Sequence, residues 1–194
     1  VELLKKRPAP LVRVNVARAL AVVAATGAPA HAKTLTDLLK DKSTPPEVLL
    51  HTYKAVEAFL SAYDPNATGG RNWFRHTVQG QELYDLIKAL ESHVVDGPPI
   101  ADKVAISPPP VTKTGEQPPT PPAGRLDNKS LTPEQVEVVR YFRKAAVRAL
   151  ARCRNDALPN NAGKVDLRPA LTLAKVAVND ASLYPDVSPA EVAE

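Results

Sequence analysis

Proline inside a helix or a central strand costs a backbone hydrogen bond, so where the prolines fall limits what a chain can build. This chain of 194 residues carries 20 of them, and nine lie between Pro98 and Pro122. The other eleven are spread over the flanking stretches. The chain therefore reads as a helical region over residues 1–97, a Pro-rich linker or strap over 98–126, and a second helical region over 127–194. The strap can enter neither helix nor sheet and is expected as extended polyproline II. Both flanking stretches are long enough to contribute to a real core.

That core has to be aliphatic. Hydrophobic residues make up 44% of the chain, yet only five Tyr, three Phe and one Trp are aromatic. Ala, Leu and Val packed between helices suit this composition better than a sheet, which favours β-branched and aromatic residues, so the fold class is read as all-α.

Several functions are set aside early. The single cysteine, Cys153, allows no internal disulfide and no Cys-based metal cage, and no cofactor is implied. The longest apolar run, Ala19 to Ala25, has seven residues, against the ~20 that span a bilayer. The chain starts at Val1, lacks methionine and shows no basic-then-apolar leader, so it reads as a piece of a longer protein, cytoplasmic or exported. The net charge of +4 is spread thinly along the sequence, a weak sign of nucleic-acid binding.

Helices can be placed from their starts, stops and spacing. Pro10 opens LVRVNVARALAVVAA and Gly27 follows it, the expected order for a helix of about residues 10–25. It is apolar nearly all round, which predicts neighbours on several sides. A shorter helix over 34–40 aligns Leu35, Leu38 and Leu39. A third, from Pro46 to about Tyr63, carries Val48, Tyr53, Val56, Phe59 and Leu60, with Thr44 as a candidate N-cap and Glu47 completing a capping box. A fourth, about 79–94, aligns Leu83, Leu86, Ile87 and Leu90. These four suggest two stacked antiparallel pairs. Beyond the strap, Thr132, Pro133 and Gln135 form a capping box opening a helix that should reach about Arg154. A last helix is expected over about 169–178, and Ser188–Glu191 opens another.

The two proline starts, PLVRVNVARAL at Pro10 and PEVLLHTYKAV at Pro46, repeat with a period of 36 residues. With Pro10, Val12, Arg13, Ala17, Ala19, Leu20, Gly27, Leu35, Leu38, Leu39 and Asp41 in register, residues 8–63 resemble HEAT repeats, the armadillo-like α-solenoid class. The period is shorter than usual for that class, and Leu49 stands where a second Arg belongs. The resemblance implies a stack of helix pairs with a concave surface for a macromolecular partner.

Two groups of residues are candidates for binding. Gly69 to His76 concentrates Arg71, Trp73, Phe74 and Arg75 on a Gly-rich stretch. Such a group can stack on an aromatic ring and pair with phosphate or carboxylate, or Trp73 and Phe74 can pack beneath helices while the arginines are solvated. It is no phosphate loop, because no Gly-Lys-Ser/Thr follows. The second group is the i+4 stripe Arg140, Lys144, Arg148 and Arg152, opposite the apolar arc Val136, Val139, Phe142, Ala146, Val147 and Leu150. It suits an acidic surface or simply a solvated helix face. Pro118–Pro121 and Pro119–Pro122 match the Pro-x-x-Pro pattern of groove ligands. His31, His51, His76 and His93 stand apart without metal-site spacing and are expected at the surface or at caps, and Cys153 is expected as a structural thiol. The function expected is a non-catalytic scaffold for a protein partner. The rival is a nucleic-acid-binding repeat using Arg71, Arg75 and the stripe.

Overall fold

The computed structural model describes residues 9–28, 30–62, 80–99, 133–153 and 167–178, with 180 and 183. All regular structure among them is helical: α1 (Pro10–Ala24), α2 (Ala30–Lys40), α3 (Pro46–Ser61), α4 (Gly80–Val95), α5 (Pro133–Leu150) and α6 (Arg168–Ala177). Prolines sit in the first turns of α1, α3, α5 and α6, where a missing N–H leaves no intrahelical bond unmade. After α1 and α4 the chain leaves through Gly27 and Gly97 at φ 70° and 84°, a region disfavoured for any residue with a Cβ. Residues 1–8, most of the strap, the Trp73 stretch with His76, Thr132 and Ser188–Glu191 lie outside the described residues.

Helix α2 starts four residues before the predicted Thr34. Its extra turn is Ala30, His31, Ala32 and Lys33, whose apolar signal is alanine alone, and Ala32 is buried in the core. Thr44 does not cap α3. Pro45 takes the N-cap position, with its carbonyl accepting from the N–H groups of Val48 and Leu49, while the buried Thr44 hydroxyl donates to the Leu38 carbonyl at 2.9 Å. Its place one residue too early turns it back onto α2, where it satisfies a carbonyl near that helix's end. Asp41 holds the same loop by accepting from the Ser43 N–H and hydroxyl at 2.7 and 2.6 Å.

The helices contact one another mainly two apart in sequence: α1 with α3, α3 with α5, α2 with α4, and α4 with α6. The odd helices thus form one row and the even helices another, joined by contacts of α2 with α3, α4 with α5 and α5 with α6. Partners within a row run in the same direction. Arg13 of α1 meets Glu47 of α3 at 2.9 Å, and Arg18 lies near His51 further along both helices. Between α3 and α5, Tyr53 packs edge-on against Phe142, and Glu57 pairs at 3.3 Å with Arg152 in the turn after α5. On α2 and α4, Lys33 lies near Glu82, and the Leu39 backbone bonds to His93. The antiparallel pairing expected of consecutive helices is not where α1 makes its main contact, which is with α3.

One core runs through both rows. Leu35 and Leu39, Tyr53, Val56 and Phe59, Leu86, Ile87 and Leu90, and Ala146 and Leu150 are all essentially inaccessible and belong to a single cluster. The helices before and after the strap therefore share one interior. Removing each such Leu or Phe side chain from water is worth roughly 1.5–3 kcal/mol before conformational entropy is counted.

Helix α1 departs from expectation. Only Ala17 and Ala24 are buried, while Leu11, Val12, Val22 and Val23 are 71%, 44%, 74% and 47% exposed. It stands at the end of the odd row among the described helices, so α3 covers one side and nothing described covers the other. The covered side holds the buried Ala17 and Ala24, with Leu20 and Ala21 packed beside them.

Candidate binding surface

Of the predicted binding residues, the structure describes four, three on α5 and Arg152 in the turn just after it. Val139, Phe142, Ala146, Val147, Ala149 and Leu150 turn into the core, which leaves Arg140, Lys144, Arg148 and Arg152 along the opposite side. Arg140 donates to Glu137 one turn earlier at 2.7 Å, and Arg152 to Glu57 of α3 at 3.3 Å. The stripe is thus anchored by a carboxylate at each end. Between them, Lys144 is half-buried and Arg148 is exposed. A flat row of this kind holds positive charge in place without a cavity, and it suits an extended acidic surface better than a small molecule. Arg71, Trp73 and Arg75 lie outside the described residues.

Sequence reading missed two buried polar groups. Arg143 is 1% exposed, and its Nη2 donates to the Val95 carbonyl at the end of α4, at 3.5 Å. The cation there meets the negative end of the α4 dipole. A helical wheel carried the signal: Arg143 falls between Val139, Val147 and Leu150, in the middle of the apolar arc. The second group corrects an expectation. His93 is not at the surface but 6% exposed in the core. Its Nδ1 lies 2.8 Å from the Tyr53 hydroxyl, with the rings edge to face.

Burial pushes the His93 pKa down to about 4, opposed by its bond to the Leu39 backbone. The neutral imidazole donates to that backbone and accepts from Tyr53 O–H, so both ring nitrogens are used. Burial also raises the Tyr53 pKa, with the Arg143 charge working against it. No substrate reaches these groups from solvent; they tie α2, α3 and α4 together. His51 is half-buried, and its pKa is lowered by burial and then by Lys54 and Arg18. Cys153 is half-buried against the core, in keeping with a structural thiol.

An open groove of about 440 Å³ lies between α4 and α6. Lys88, Arg168 and Lys175 line it together with Glu91 and Asp96, so its charge is mixed. Arg168 is held over the Tyr84 ring, 4.2 Å from its centre. Among the described residues no three His, Cys, Asp or Glu side chains converge to hold a metal ion. No described helix is long and apolar enough to cross a membrane. No protein-family model, curated protein or solved structure matches the chain.

Proposed function

We propose that this chain is a non-catalytic protein–protein interaction scaffold of the α-solenoid type, which binds an acidic protein surface along α5 and the face that α5 borders. The reading is carried by the row arrangement: helices packing two apart, in parallel, around one continuous core. In such a stack each helix buries its apolar face against its row neighbours and turns its remaining side outward, so successive helices build an extended surface rather than a closed pocket. The HEAT resemblance of residues 8–63 implies the same use, and the Pro-rich strap supplies a further segment that can hold a partner.

A test separates this reading from nucleic-acid binding, for which the α5 stripe is the supporting observation. Labelled duplex DNA is titrated with the full chain between about 50 and 200 mM salt, where several phosphate contacts make affinity fall by orders of magnitude. The scaffold reading expects no such salt-dependent binding. A photo-crosslinking residue placed at 148 should then capture a discrete protein in cells that make the chain, and a substitution pair, Lys144→Glu with Arg148→Glu, should abolish that capture. Steep, salt-sensitive DNA binding lost in the same pair would overturn the reading in favour of nucleic acid.

A further inference from the structure

The uncovered side of α1 is an apolar surface that the fold leaves without an explanation. Leu11 and Val22 are the most exposed of its large side chains, and Val12 and Val23 lie further round the same exposed side, with Asn15 and Ala19 between the two pairs. No acidic residue occurs in α1, and Arg18 borders the patch without a hydrogen bond or ion pair among the described residues. Arg18 and Lys54 both lie near the His51 ring of α3, so two cations stand on that side.

The odd row shows what fits such a surface. Both of its junctions pair an apolar helix face with an Arg–Glu bridge: Arg13 with Glu47 between α1 and α3, and Arg152 with Glu57 between α3 and α5. The open side of α1 repeats one half of that arrangement, an apolar stripe beside an arginine, and lacks the carboxylate. We propose that it receives an amphipathic helix of a partner protein, lying along α1 as a further member of the odd row, with acidic residues flanking its apolar stripe and meeting Arg18 and Lys54. This extends the scaffold reading, on which it rests, to a second surface.

Other occupants fit less well. A second copy would bring Arg18 against a like-charged rim. Residues 1–8 carry Lys5, Lys6 and Arg7 against Glu2, the wrong charge for this rim. A bilayer surface would favour aromatic anchors beside the cations, and α1 has none.

The test uses the full chain and two synthetic helical peptides with the same leucine stripe, one flanked by Glu and the other by Lys, read by fluorescence anisotropy. The Glu-flanked peptide should bind at least about tenfold more tightly than the Lys-flanked one. Val22→Asp or Leu11→Asp should weaken it by about tenfold or more, with circular dichroism checking that the helices remain, and Arg18→Glu should reverse the preference between peptides. Equal binding of the two peptides, or indifference to both aspartates, overturns the inference. So does a dimer in sedimentation velocity, or binding to phosphatidylserine vesicles, that Val22→Asp abolishes. Failure here with capture at residue 148 intact removes this inference alone. Loss of capture with peptide discrimination intact removes the α5 assignment and leaves this one.

Discussion

His93 shows how a single residue can carry the acid sensitivity of the fold. The unfolded chain takes up a proton on this ring near pH 6.5, but the folded chain only near 4. Its contribution is therefore complete above pH 6.5, falls as pH drops towards 4, and is lost by up to about 3 kcal/mol. Urea denaturation at a series of pH values should show this fall, and the His93 ring proton should not titrate by NMR above about pH 5. Tyr53→Phe removes the O–H that the Nδ1 atom accepts from. It should cost roughly 1–3 kcal/mol, seen as a lower urea midpoint at unchanged slope. Arg143→Ala should cost more, about 3–5 kcal/mol, because it opens a cavity where the side chain was buried and removes the donor to the Val95 carbonyl. Of these residues, Tyr53 was legible from helical spacing, and Arg143 could be found from its place in the apolar arc of α5. His93 was not legible, because polarity along one helix says nothing of which other helices arrive to cover it.

At the scale of elements, local chemistry placed the helices well. Pro10 and Pro46 start helices as predicted, Gly27 ends one, and α4 and α6 each begin within one residue of expectation. The errors occur where local signals are weak or ambiguous. An alanine-rich turn hid the start of α2, and Thr44 offered a cap to α3 that α2 used instead. Thr44→Val keeps the volume and removes the donor to Leu38. Its cost should be about 1–3 kcal/mol, and helical content should be retained, since α3 keeps its Pro45 N-cap. The close contact of α1 with α3 gives a sharper test. Ala17→Leu forces a larger side chain between them and should cost about 1–3 kcal/mol in thermal or chemical denaturation. Ala19→Leu, on the exposed side of the same helix, should change stability by less than about 0.5 kcal/mol.

The whole molecule unfolds as its core dictates. Side chains from before and after the strap belong to one cluster, so the two helical regions should melt in a single transition. Leu35→Ala in α2 and Leu150→Ala in α5 should each lower that one midpoint, at a cost in stability of about 2–5 kcal/mol. A protease site inserted between residues 100 and 132 tests the same point. After cleavage the two pieces should co-elute on gel filtration, held by the contacts of α3 and α4 with α5. Separate elution, or two resolved transitions, would show two independent cores instead.

By itself the sequence determined where the helices run, because proline at a first turn, glycine at an exit and apolar residues at 3.6-residue spacing act over a few neighbouring residues. The tertiary structure decided which faces are covered. Helix α1, the most evenly apolar of the six, ends up with Leu11 and Val22 in solvent because it stands at the end of a row, while His93 and Arg143 are buried because three helices meet around each of them. Burial is set by what packs from far along the chain, and no local pattern encodes that.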